Sequence, residues 1–346
     1  MEIMLTVSSP PHIYGTDTIV KRMRDVLIAL LPATFLSMHY YGEQAFITIA
    51  VSIVSAVLAE YLYRKVFGKK DTIYDLSAVI TGLLLAFNLP PQVPLWIAAT
   101  GSVFAIIVVK QLFGGLGSNF VNPALAARAF LLASFPVEMT SWTVAPDAVS
   151  SATELAHDAV SSATYLAQIK ADPSFVPQLS DYINLLIGKV GGCIGETSAL
   201  ALIAGGIYLI IRRVINWRIP VFYIGSFALF SFIFGRLGLC TGNALFETLN
   251  GGLILGAFFM ATDYATSPIT PRGKVIMGIG CGFLSVMIRY FSGYPEGVSY
   301  AILIMNLFVP MIDKYVRPRI YGKSRHISLK KIAHNKKSSA VPRGTV

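Results

Sequence analysis

The sequence predicts an all-α integral membrane protein of about ten transmembrane helices, arranged as a 5+5 inverted repeat. Three observations predict it. Of 346 residues, 54% are hydrophobic and only 13% charged, with mean hydropathy +0.63, against about 25% charged in a soluble domain. The apolar residues gather into segments near the ~20-residue length that a helix needs to cross a bilayer. Basic residues fall in every second connection, the pattern of cytoplasmic loops. This composition excludes a soluble enzyme and a disordered chain, and three cysteines exclude a disulfide scaffold.

Residues 1–24 read as a cytoplasmic segment, and the polar stretch Met1–Asp25 holds no cleavable signal peptide. Lys21, Arg22 and Arg24 precede span 1 (25–41). Gly42-Glu43-Gln44, without a basic residue, turns the chain into span 2 (45–63). Arg64, Lys65, Lys69 and Lys70 mark the return inside before span 3 (73–89). The 34 uncharged residues from Leu76 to Val109 are too long for one span. Pro90, Pro91 and Pro94 break them, which leaves span 4 at 93–112. Asn122 as N-cap and Pro123 in the first turn open span 5 (122–136). Residues 25–136 thus hold the first five spans.

Residues 137–190 read as an extracytoplasmic loop with six acids and two lysines. It contains the near-repeat Asp147-Ala-Val-Ser-Ser-Ala-Thr and Asp158-Ala-Val-Ser-Ser-Ala-Thr, a local duplication in a surface loop. Residues 191–317 hold spans 6 (195–211), 7 (219–237), 8 (244–262), 9 (274–291) and 10 (298–316). Arg212, Arg213 and Arg218 lie inside between spans 6 and 7, and Arg272 and Lys274 between spans 8 and 9. Residues 318–346 form a basic cytoplasmic tail, in which about 338–346 resembles a protease-site remnant and is set aside. Both termini fall on the cytoplasmic side, and five spans per half invert the second half relative to the first, as in transporters.

The net charge of +10 belongs to that tail. From Arg317 to Val346 there are nine Lys/Arg and no acid, which leaves 19 basic against 18 acidic residues elsewhere. A neutral apolar body with a basic tail points to the lipid bilayer as partner and away from nucleic acid.

Several chemistries are excluded. Haem in a bundle needs facing histidines, and of the five only His39 lies near a span interior. Iron–sulfur clusters need grouped thiolates, whereas Cys193, Cys240 and Cys281 lie in separate segments without C-x-x-C. No zinc site or Walker motif is present. No catalytic residue or metal ligand is expected.

Three segments carry polar groups into the membrane. Gly191-Gly-Cys-Ile-Gly195-Glu196-Thr197-Ser198 opens span 6 at the outer face. Its small residues let a planar group approach the backbone, and the alternative is a capped helix start. Phe113-Gly-Gly-Leu-Gly-Ser-Asn119-Phe-Val-Asn122-Pro123 leads into span 5 from the inner face, with two amides three residues apart. Arg128 lies ~9 Å deeper at 1.5 Å per residue, and a buried cation there is functional by default. The alternative is an ion pair with Asp263. Phe259-Met-Ala-Thr-Asp263-Tyr-Ala-Thr-Ser-Pro268 ends span 8 inside, where Asp263 serves a cation, a proton or the following turn.

Together with Ser8-Ser-Pro-Pro-His12 and Met23-Arg-Asp-Val-Leu-Ile-Ala-Leu-Leu-Pro32, these segments resemble the D subunit of the Rnf ion-translocating electron-transport complex. They are more distantly similar to the B subunit of the Na⁺-pumping NADH:quinone oxidoreductase. The resemblance spans residues 5–325.

The resemblance implies a bacterial inner-membrane flavoprotein. FMN would be esterified through its phosphate to Thr197, within Gly195-Glu196-Thr197-Ser198, with Ser198 the rival hydroxyl. Some relatives carry Ala where Glu196 stands. Arg236, Arg289 or Lys189 would offset the phosphate charge; snorkelling or pairing with Glu296 is the alternative for the two arginines. Riboflavin would sit near the inner face on Asn119 and Asn122. The chain would be one subunit of an oxidoreductase passing electrons from ferredoxin to NAD⁺, coupled to Na⁺ or H⁺ movement, and not a complete enzyme alone. Its partners would be the covalent-flavin G subunit, the membrane iron–sulfur A and E subunits and the peripheral B and C subunits, with a flavin transferase for maturation. Burial logic adds Asp263, Arg128 and Glu247 as candidates for the ion path. The rival reading is a secondary transporter or channel built on the inverted repeat.

Overall fold

A computed structural model describes residues 18–69, 72–141, 177–188, 191–196, 198–235, 242–292 and 297–316. Among them every regular element is helical. The chain begins with α1, Ile19–Val66, capped by the Thr18 hydroxyl. A straight helix of 48 residues would be ~70 Å long, more than twice a ~30 Å hydrocarbon core. Gly42, at φ 65° and ψ −145°, breaks it at the predicted turn into two arms.

The arms fold back on each other. Arg22, at the start of the first, lines the same cavity as Lys110, and Lys110 binds Glu60 near the end of the second. Arg64, Lys65, Arg212 and Arg272 cluster at helix ends or in turns, and the end of the protein carrying Arg22, Arg64 and Arg212 is here termed the basic end.

The remaining elements are α2 (Ser77–Phe87), α3 (Leu95–Gln111), α4 (Pro123–Ser134), α5 (Pro136–Met139), α6 (Leu179–Ile187), α7 (Ala199–Ile211), α8 (Arg218–Phe234), α9 (Ala244–Leu249), α10 (Leu253–Leu255 continuing as Gly256–Met260), α11 (Pro271–Phe291) and α12 (Val298–Tyr315). By length and composition α1, α11 and α12 are apolar enough to cross a membrane; α2, α3, α4, α7 and α8 are shorter and apolar.

The predicted segments prove less continuous than their hydropathy suggests. Span 3 (73–89) is a helix of 11 residues preceded by a 3₁₀ turn, Ile73–Asp75. Span 8 (244–262) breaks at Asn250-Gly251-Gly252, where Gly251 has φ 77°. Span 6 begins only at Ala199, after a 3₁₀ turn at Ile194–Glu196. Within the expected 137–190 loop, α6 forms a short helix at 179–187. Two segments wind as π-helix, Ala105–Gln111 and Gly256–Met260.

One continuous core joins both halves of the chain, from Leu30, Leu85 and Phe87 to Ile254, Met277 and Ile302. Small residues allow the close approaches. A Cβ on Gly205 would lie 2.2 Å from the Ala29 carbonyl oxygen, and one on Gly282 would lie 2.7 Å from the Phe227 backbone nitrogen. Such backbone-to-backbone packing is characteristic of helices that associate without a hydrophobic driving force between them.

Two buried polar sites at opposite ends

The two asparagines of the glycine-rich segment meet at a cavity on the basic end. Asn122 caps α4 in extended conformation, its Oδ1 accepting from Ala124 N–H (3.1 Å) and Leu125 N–H (3.4 Å). Its Nδ2 donates to the Met260 carbonyl (3.2 Å), where the π-helical end of α10 arrives. Asn119 Nδ2 donates to the Val121 carbonyl (3.1 Å). Both side chains line a cavity of about 810 Å³, counting its open mouth. Its walls include Leu84, Phe258 and Phe259, with Lys110, Asp263 and Tyr264 as polar members. Arg22 also lines the cavity, with its guanidinium 5.3 Å from the Tyr264 ring centroid.

Asp263 lies just past α10. Burial raises its carboxyl above the ordinary value, opposed by hydrogen bonds from the Ala265 N–H, the Thr266 hydroxyl, the Asn119 amide and the Tyr264 N–H. Asp263 and Asn119 therefore act together at one wall.

The ion pair of Arg128 with Asp263 raised by the sequence is not formed. Arg128 points toward the other end, because α4 runs away from the cavity. Its Nη1 donates to Asn88 Oδ1 and Ser299 Oγ (3.0 Å each), and its Nη2 to Cys193 Sγ (3.6 Å). The Cys193 thiol donates to the Asn88 carbonyl (3.4 Å). Glu196 accepts hydrogen bonds from Cys193 and lies within electrostatic reach of Arg128 and Arg289. Its carboxylate is cradled by two glycines: a Cβ on Gly192 would come within 2.8 Å of Oε2, and one on Gly252 within 3.2 Å of Oε1. Ser198 caps α7 through Ala201 N–H (3.3 Å) and donates to the Leu186 carbonyl (2.9 Å). Those two bonds engage the Ser198 hydroxyl in the helix start. Gly195 packs on Phe87, where an added Cβ would fall 2.5 Å from the Phe87 Cβ. Thr197, Lys189, Arg236 and Glu296 lie outside the described residues.

Glu247 belongs to this second end. Its Oε2 pairs with Arg289 Nη1 at 3.2 Å, and its carbonyl takes a second bond from the same nitrogen (2.7 Å). Arg289 is 1% exposed and lies over the Phe227 ring, so it does not snorkel. Its Nη2 donates to the Asn250 carbonyl (3.2 Å) at the break before α10. Among the described residues, Arg289 Nε and Asn250 Nδ2 are buried without a hydrogen-bond partner.

Three residues escaped the sequence reading. Asn306, 1% exposed on α12, has its amide oriented so that it donates to the carbonyls of Thr266 (3.1 Å) and Ile302 (3.2 Å) and accepts from Asn122 N–H (3.2 Å). Glu60 and Lys110 form a fully buried ion pair at 2.7 Å beside the cavity. Fifty residues separate them in sequence, and each stands near the end of an apolar run, where charge looks ordinary.

Residues 6–322 match the sequence model of the NQR2, RnfD, RnfE family. The chain is 47% identical over 327 residues to the D subunit of the Na⁺-translocating ferredoxin:NAD⁺ oxidoreductase complex of Acetobacterium woodii, covering 94% of this chain and 97% of the relative. It is 42% identical over 327 residues to the D subunit of the proton-translocating ferredoxin:NAD⁺ oxidoreductase complex of Clostridium ljungdahlii, covering 93% and 97%. It is 35% identical over 345 residues to the D subunit of the ion-translocating oxidoreductase complex of Haemophilus ducreyi, covering 92% and 99%.

Proposed function

The chain belongs to the NQR2, RnfD, RnfE family, and from that premise we propose that it is the D subunit of an ion-translocating ferredoxin:NAD⁺ oxidoreductase complex in a bacterial inner membrane. It carries FMN esterified to Thr197 at the Glu196 end and riboflavin in the cavity at the basic end. Bound flavin supplies one- and two-electron chemistry; the chain supplies two sites on opposite faces, their orientation and their electrostatics.

One observation carries the reading: Asn119 and Asn122 converge on one mainly apolar cavity at the basic end, apolar walls with a few convergent polar groups being the lining of cofactor pockets. The amides offer donors and acceptors to the edge of a planar ring, and Phe258 and Phe259 offer apolar walls. At the other end, the buried Arg289 Nε and Asn250 Nδ2 suit a neighbouring anion such as a phosphodiester. Gly192 and Gly252 let the Glu196 carboxylate sit against the backbone there, and Gly195 lets Phe87 do the same.

The topology proposed is ten spans with both termini cytoplasmic, in a 5+5 inverted repeat. Two observations support the repeat. Gly82-Leu-Leu-Leu-Ala-Phe87 in α2 recurs, with Gly256 inserted, as Gly252-Leu-Ile-Leu-Gly-Ala-Phe258 leading through α10. Arg128 of α4 reaches the start of α12, and Asn306 of α12 reaches the start of α4, a reciprocity expected of a pseudo-two-fold axis. The remaining subunits supply the iron–sulfur and nucleotide chemistry, and a flavin transferase installs the FMN. One relative is named for Na⁺ and another for protons, so the coupling ion is a variable within this family.

Two measurements on the purified protein test the reading. In-gel fluorescence after denaturation reports covalent flavin, and chromatography of the released fraction reports riboflavin. A dark band with no released riboflavin rejects the electron-carrier reading in favour of a transporter.

A further inference from the structure

We propose that Lys110 is the charge-compensating residue of the basic-end cavity, its ammonium held by Glu60 and Ser77 to stabilise the anionic reduced form of the ring bound there. This rests on the flavin reading of that cavity and deepens it.

Lys110 is 2% exposed, in a place where a cation is costly and functional by default. It stands on the π-helical turn of α3, where Leu112 N–H reaches back to the Ile107 carbonyl at 3.0 Å. Such turns are frequent at functional sites. Its Nζ lies 2.7 Å from Glu60 Oε2 and 2.6 Å from Ser77 Oγ. Those two bonds use two of its three N–H donors, and both Lys110 and Ser77 line the cavity.

Glu60 is 0% exposed and anchored independently of Lys110. Gln111 Nε2 (2.9 Å) and Thr72 Oγ1 (2.7 Å) donate to its Oε1, and Arg64 Nε lies 3.8 Å from the same oxygen. A pair of this kind placed only for stability is no better than apolar packing. Here its Lys110 member lies in a cavity wall, which gives the pair a different use.

An isoalloxazine that takes up two electrons and one proton at N5 carries one negative charge, shared by N1 and the C2 carbonyl. The electrons come from the low-potential iron–sulfur donor of the proposed complex. In a low-dielectric cavity the ammonium favours that charge and raises the midpoint potential, while Glu60 behind it moderates the effect.

The test is an optical redox titration of the purified complex with dithionite, which follows the non-covalent flavin and uses the covalent flavin as internal reference. Glu60→Gln raises the midpoint of the non-covalent flavin by about tenfold in the oxidised-to-reduced ratio, ~30 mV for a two-electron couple. Lys110→Met combined with Glu60→Gln, which leaves no unpaired carboxylate, returns it below the Glu60→Gln value by a similar amount. Should the double variant fail to fold, Glu60→Gln decides alone. An unmoved or lowered midpoint in Glu60→Gln, or a double variant that stays at the Glu60→Gln value, overturns the proposal and leaves the flavin reading standing. Wild-type protein without non-covalent flavin rejects the flavin reading itself, and the proposal with it.

Discussion

Arg128 Nη1 donates to Ser299 Oγ at 3.0 Å, joining the second turn of α4 to the first turn of α12. The return contact, Asn306 to Asn122 N–H, lies ~10 Å along α12 from Ser299, close to the ~9 Å from Asn122 to Arg128 along α4. The helices run antiparallel, overlapping through their first turns. Each helix start is thereby held by a polar side chain of the other, and each faces a different polar site.

Replacing Arg128 by Met leaves the Asn88 carboxamide oxygen without its donor. A buried unsatisfied acceptor costs about 1–3 kcal/mol. Thermal unfolding in detergent will show a loss of that size. Arg128→Lys recovers part of it, because an ammonium keeps a charge but not the planar fork that spans Asn88, Ser299 and Cys193.

Asn122→Leu removes both the cap of α4 and the bond to Met260. The cap alone is worth about 0.5–2 kcal/mol. Released riboflavin is predicted to fall sharply in this variant while in-gel fluorescence persists, since the covalent site is proposed for the opposite end. Loss of both signals together would contradict independent sites.

Gly115→Ala tests how the glycine-rich segment is held. Gly115 has φ 97°, and an added Cβ would lie 2.9 Å from Arg64 Nη2. The backbone strain costs about 1–2 kcal/mol. Displacing Arg64 also disturbs the Glu60 network, so riboflavin retention drops further than the stability change explains. Chromatographic flavin content, compared with the unfolding midpoint, separates the two effects.

Gly195→Ala places a methyl group against Phe87, with the nearest atom at 2.5 Å. Overpacking of this kind costs about 1–3 kcal/mol and shifts the backbone two residues before Thr197. In-gel fluorescence decreases relative to protein amount, while released riboflavin stays near the wild-type level.

Hydropathy made the apolar segments legible because side-chain transfer dominates it, and Gly42 marked the first turn without ambiguity. Asn122 was legible through its capping position next to Pro123. The breaks at Asn250-Gly251-Gly252 and before Ala199 were not, because an apolar window registers side chains and not the backbone conformation of the glycines among them. The Glu60–Lys110 pair was hidden by the 50 residues between its members. Arg128 is legible as a buried cation, but the alternative pairing with Asp263 is not formed: span order alone does not tell which way a helix carries a side chain from its cap.

The central claim is a covalent flavin on Thr197, and peptide mass mapping of residues 191–212 tests it most directly. Protein produced together with its flavin transferase is predicted to yield that peptide with one added FMN, less water, located on Thr197 by fragmentation and lost in Thr197→Val. An unmodified peptide from such protein would contradict the account.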